Sequence, residues 1–94
     1  MERNEIYKRL DTERDYQDSR WDLREKFNSP VDEEKSVAEW ILYMEHHLNN
    51  AKHFVYSLDE SNALAEIRKV TALGVRTMEI HGCPSRKFPI ETDE

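Results

Sequence analysis

Ser36-Val37-Ala38-Glu39-Trp40-Ile41-Leu42-Tyr43-Met44 opens a run in which apolar residues recur at Val37, Ile41, Met44, Leu48, Ala51, Val55 and Leu58. The alternating steps of four and three trace one face of an α-helix. Ser36 and Glu39 add a capping box, in which the hydroxyl accepts from an early helix amide and the carboxylate reaches back to the Ser36 amide. Trp40 and Phe54 widen the apolar face, which predicts more than one packing neighbour for this helix.

Downstream, Asp59-Glu60-Ser61-Asn62 places four N-cap residue types in a row, and Leu64, Ile67, Val70, Thr71, Gly74, Val75 and Met78 continue at helical spacing. A second long helix is predicted to run to about His81. Gly82 suits a C-cap with positive φ, and Pro84 blocks any continuation. Gly74, inside that helix, predicts the close approach of another backbone. Upstream, Thr12 or Asp15 is placed to cap a helix whose inner face is Tyr16, Ser19 or Arg20, Leu23 and Phe27, with a break at Asn28-Ser29-Pro30. With two glycines and three prolines in 94 residues, hairpin turn signals are scarce. The predicted fold is all-α, a single helical domain over residues 1–94 made of a short N-terminal amphipathic helix followed by a long antiparallel helical hairpin. Segments 1–14 and 85–94 are expected to be loose.

A chain this small hides too little surface to be robust alone, so a compact homo-oligomer is expected. Lys and Arg number 14 against 20 Asp and Glu, a net charge of −6, which disfavours long nucleic acid and anionic membranes. Charge is densest early: residues 1–35 hold 8 basic and 11 acidic side chains. No apolar run approaches the ~20 residues of a membrane span, and the charged start has no signal-peptide core, so a cytoplasmic protein is expected. Cys83 is the single cysteine and has neither a disulfide partner nor a CxxC companion.

Few residues suggest catalysis. His46, His47 and His53 invite a metal reading, but no third ligand falls at a suitable spacing, and solvated or packing histidines account for them better. Glu33, Glu34 and Glu39 evoke the magnesium-binding acids of MazG-like nucleotide pyrophosphohydrolases, yet position 37 is Val37 and Glu66 is followed three residues later by Lys69. No nucleophile motif is present, so the expectation is a non-enzyme without metal or cofactor. Tyr16, Arg20, Trp21, Arg24 and Lys26 lie within eleven residues and combine rings that stack on bases with cations that pair with phosphate. The competing account makes Trp21 and Phe27 core and the charges a solvated helix face. Arg68 and Thr71, three apart on the last helix, can present a guanidinium and a hydroxyl to one phosphate, or else Arg68 is spent on an ion pair.

The run from Tyr16 to Pro30 (Tyr16-Gln17-Asp18-Ser19-Arg20-Trp21-Asp22-Leu23-Arg24-Glu25-Lys26-Phe27-Asn28-Ser29-Pro30), then Ser36-Val37-Ala38-Glu39-Trp40-Ile41, Ala65 to Gly74 and Met78-Glu79-Ile80-His81-Gly82, resembles the small phage anti-CBASS proteins that sequester cyclic oligonucleotide signals. The resemblance covers roughly residues 16–82. It implies a helical protein, assembled as a hexamer, that binds cyclic di- and trinucleotides without cleaving them. It further implies a stacking tyrosine, matched by Tyr16 or alternatively Tyr7, a phosphate-contacting Lys26, and a separate trinucleotide pocket using Arg68 and Thr71. The charged segment Met1 to Arg14 matches nothing in the pattern. Two other classes stay open: an acidic helical protein-interaction module that masks a host enzyme, and the MazG-like hydrolase.

Overall fold

The structure is a computed structural model that describes residues 1–26 and 32–87, the side chains of 21–26 and 32 excepted. Among these residues the chain forms three α-helices and no strand: α1 Arg3–Lys26, α2 Val37–Tyr56 and α3 Glu60–His81, with a single 3₁₀ turn at Asp32–Glu34 before α2. The all-α expectation is met.

The start of α2 follows from local chemistry. Ser36 takes the extended conformation, its hydroxyl accepts from the Glu39 amide at 3.2 Å, and the Glu39 carboxylate accepts from the Ser36 amide at 3.4 Å. Asp59 caps α3 in the same way, accepting from the Asn62 amide at 3.1 Å. At the far end Gly82 has φ 101° and its N–H donates to the Met78 carbonyl, so α3 stops where a side chain would be strained.

Between α2 and α3 the chain reverses through Ser57, Leu58 and Asp59. The Asp59 amide donates to Phe54 O and the Leu58 amide to Val55 O, the paired bonds of a Schellman motif, with Leu58 held at φ 58°. This is the position glycine normally fills. The apolar run was expected to carry the helix through Leu58; instead Leu58 turns the chain and is 93% exposed.

Helices α2 and α3 run antiparallel. His81 Nε2 donates to Lys35 O at 2.9 Å at one end, Met44 packs beside Gly74, and His47 meets Glu66 further along. Trp40 is 0% exposed and, with Leu73, forms the buried cluster against which Tyr43, Met44 and Ile80 pack. The expected inner stripe is therefore rotated: Val37, Ile41, Leu48 and Val55 stay exposed, because α2 has one closely packed neighbour and turns its bulkiest ring toward it. Gly74 is corrected as well. The nearest heavy atom to a Cβ there is Met44 Sδ at 4.0 Å, an ordinary side-chain contact and not another backbone.

The first helix differs most from expectation. It is 24 residues long, not short, and begins at Arg3. No glycine or proline interrupts residues 1–29, and Glu, Arg, Lys and Leu all favour helix, so nothing stops it earlier. Nor is its described inner face apolar. Its buried side chains are Glu13, Arg14 and Gln17, whereas Tyr16, expected inside, is 57% exposed, and Ser19 and Arg20 are exposed too. The side chain of Leu23, and Phe27 with the break at Asn28-Ser29-Pro30, lie outside the described residues, as does the tail from 88 onward. No described helix is long and apolar enough to cross a membrane.

Candidate functional site

Helix α1 crosses α3 on three polar contacts. Arg68 Nε donates to Glu13 Oε1 at 2.7 Å, Gln17 Nε2 donates to the Lys69 carbonyl at 3.3 Å, and Arg14 grips Glu79 in a fork, Nε to Oε1 at 2.8 Å and Nη2 to Oε2 at 3.1 Å. Adjacent residues of α1 thus hold partners eleven residues apart on α3, about 16 Å along its axis. Asp18 adds a second acceptor for Arg14 at 3.0 Å. The fork holds the Glu79 carboxyl below its ordinary value. Burial works against the Arg14 charge, but Glu79 and Asp18 more than offset it and raise the guanidinium further.

Because α1 crosses at an angle, a cleft of about 710 Å³ opens between the three helices. Glu13, Tyr16, Gln17 and Arg20 form its α1 wall, with the i, i+3, i+4, i+7 spacing of a single helix face. Its opposite wall is Glu39, Leu42, Tyr43, His46 and His47 of α2 with Lys35 just before, and α3 adds Lys69 and Leu73. Lys35 Nζ lies 5.1 Å from the Trp40 ring centroid and 5.7 Å from that of Tyr43, so its ammonium rests on two aromatic faces. His46 and His47 meet edge to face at 5.3 Å.

Behind this wall sits a buried carboxylate. Glu66 Oε2 is 2.7 Å from His47 Nδ1 and its Oε1 accepts from Lys69 Nζ at 3.3 Å. Burial pushes the Glu66 carboxyl up, yet the hydrogen bonds and charges of His47 and Lys69 outweigh it and hold the group below the usual carboxylate range. Among the described residues no three His, Cys, Asp or Glu side chains converge as a metal set. Of the acids compared with a magnesium cage, Glu33 pairs with Arg76 at 3.1 Å, Glu39 serves the α2 cap and Glu66 meets His47 and Lys69, while Glu34 is exposed on the 3₁₀ turn.

The structure places Tyr16 in the cleft beside Arg20. Tyr7, nine residues earlier on α1, is about 13 Å further along the axis, exposed and outside the cleft. The Lys26 side chain lies outside the described residues. Arg68 is engaged by Glu13, and Thr71 Oγ1, exposed on α3, donates to the Ile67 carbonyl at 2.8 Å. Tyr16 and Arg68 are brought into relation through Glu13, three residues before Tyr16 on the same helix. Lys35, Tyr43 and Lys69 were not anticipated as site residues, since only the docking of three helices brings them to one space. Comparison with protein-family models, curated proteins and solved structures yields no match to this chain.

Proposed function

We propose that this protein binds and sequesters cyclic di- and trinucleotide second messengers without cleaving them, and so blocks CBASS-type antiphage signalling in the host cytoplasm. The observation that carries the reading is the cleft, where Tyr16, Tyr43 and the His46 edge share one space with Arg20, Lys35 and Lys69. Rings that accept a base beside cations that accept a phosphate are what a cyclic dinucleotide requires. A volume near 710 Å³ lies within the usual range for sites that take a compact ligand.

In this reading Tyr16 stacks on a base and Lys26 contacts phosphate, with Tyr7 as the alternative stacker, while Arg68 and Thr71 serve a trinucleotide. The working form is a homo-oligomer, a hexamer by the family resemblance, whose two-fold and three-fold relations match the symmetries of the two ligand classes. The protein acts by holding its ligand, with no catalytic residue, metal or cofactor.

Calorimetric titration with a 3′,3′-linked cyclic dinucleotide and with cyclic tri-adenylate, followed by denaturation and chromatography, tests it. Tight binding with intact ligand recovered is the expected result. Absence of binding overturns the reading, and Mg²⁺-dependent monophosphate products replace it with a hydrolase.

A further inference from the structure

Among the described residues, helix α1 packs on one side of the α2–α3 pair and the opposite side stays exposed. On α2 the line Val37, Ile41, Leu48, Val55 lies nearly opposite the cleft wall, since Ile41 and Tyr43, like His46 and Leu48, are two residues apart and so about 160° from one another around the helix. On α3, Ile67 stands in the same relation to Lys69. Together with Met78, these six side chains are 42% to 61% exposed. They expose roughly 500 Å² of apolar surface, at the upper end of what a monomer tolerates without a use for it.

We propose that this face is covered by the same face of a second copy, in a two-fold pairing centred on Leu48. Ile41, Leu48 and Val55 are spaced by sevens, two turns apart, and so fall on one line along the exposed face of α2. Turning one α2 antiparallel on its twin about Leu48 sets Ile41 beside Val55 of the second copy. The same turn sets Glu45 beside Lys52 of the second copy, and by symmetry Lys52 beside the other Glu45. Glu45 and Lys52 flank the seam, are exposed, and make no ion pair with the described residues of their own chain. The pairing therefore satisfies both charges with no foreign residue.

The α3 helices agree with the same axis. On the antiparallel pair the His47–Glu66 contact puts Ile67 level with His46 and the Met44–Gly74 contact puts it level with Ala51, so Ile67 lies astride the level of Leu48, within about 5 Å of it, and near its own copy across the same axis. Complete coverage of these six side chains on both copies would bury at most about 1,000 Å², the low end of a specific interface, to which rim residues would add. The proposal holds whether or not the protein binds nucleotides.

Sedimentation equilibrium of the full chain from low micromolar to about 100 µM is the test. Wild type is expected as an even multiple of the chain mass. Leu48→Glu should halve that mass or take it to the monomer while the helical circular dichroism persists. Glu45→Lys and Lys52→Glu alone should each weaken association about tenfold at low salt, and the double charge reversal should restore it. Wild type that stays monomeric at about 100 µM, unchanged mass in Leu48→Glu, or a double reversal no better than the single ones overturns the pairing. Should Leu48→Glu lose its helical signal, the exposed charge pair decides alone.

Discussion

The Arg68 guanidinium, half exposed, donates its Nε to a Glu13 carboxylate that is only 7% exposed, so the deeper partner of this pair is the anion. A phosphate that takes Arg68 competes with Glu13 for the guanidinium charge and must use its Nη edge or displace the carboxylate from Nε. Arg68→Ala leaves that carboxylate buried without its cation and is expected to lower stability by about 1 kcal/mol, and to weaken binding of cyclic tri-adenylate. Glu13→Gln removes the competing negative charge while keeping an acceptor for Nε, and should tighten that binding while the fold persists. Urea unfolding and calorimetry on both variants separate a structural Arg68 from a ligand-binding one.

Tyr16 stands in the cleft with more than half its surface exposed, so its removal costs the fold little. Tyr16→Ala should weaken cyclic dinucleotide binding by at least about fivefold, the lower end of what one base–ring stack is worth, with the helical signal unchanged. Lys26→Ala should weaken it in a salt-dependent manner. Tyr7→Ala, outside the cleft, is the comparison: a loss there greater than at Tyr16 would move the stacking role to Tyr7.

Leu58 occupies a left-handed position for which it has the wrong side chain. Leu58→Gly should stabilise the protein by about 0.5–1 kcal/mol, the relief of backbone strain less the greater chain entropy glycine loses on folding. Thermal and urea midpoints measure it directly. A lower midpoint would mean that the exposed Leu58 side chain has a packing partner in the assembled protein.

Glu66 carries acid sensitivity. Its folded-state carboxyl lies below the ordinary value, so its contribution to stability is complete above the unfolded carboxylate range and is lost as pH falls through that range toward the folded value. Glu66→Gln should therefore lower stability at neutral pH, by about 1–2 kcal/mol, and flatten the decline below about pH 5. Glu79, held down by Arg14, contributes a decline of the same sign, so the variant flattens the curve without abolishing it.

Trp40 is the one large side chain among the described residues with no exposed surface. Trp40→Ala should cost about 3–5 kcal/mol, a large share of the stability of a chain of this size. A thermal midpoint lowered by more than about 10 °C is the expected readout.

What was legible in the sequence was local. Ser36 with Glu39 and Asp59 accept from amides within a turn of themselves, Gly82 donates to a carbonyl one turn back at positive φ, and each does in the structure what its chemistry predicts. Leu58 was illegible because a reversal normally announces itself with glycine, and here an apolar residue continued the helical spacing. The full length of α1 was hidden for a related reason: its described inward residues, Glu13, Arg14 and Gln17, carry no apolar period to detect. The rotation of α2 that buries Trp40 and bares Ile41 and Leu48 depends on which neighbours are present, a tertiary fact. Tyr16 stood out by composition, but Lys35, Tyr43 and Lys69 join it from two other segments.

The polar seat of α1 gives it a single address. An apolar stripe slides by a turn at modest cost, whereas a one-turn slip here would carry the buried Glu13 away from Arg68 and break the Arg14–Glu79 fork, leaving Arg14 with Asp18 and Glu79 with Arg76 alone. The two pairs, about 16 Å apart along α3, also fix the angle at which α1 crosses. Tyr16, one turn beyond Glu13, is aimed by salt bridges in which it takes no part.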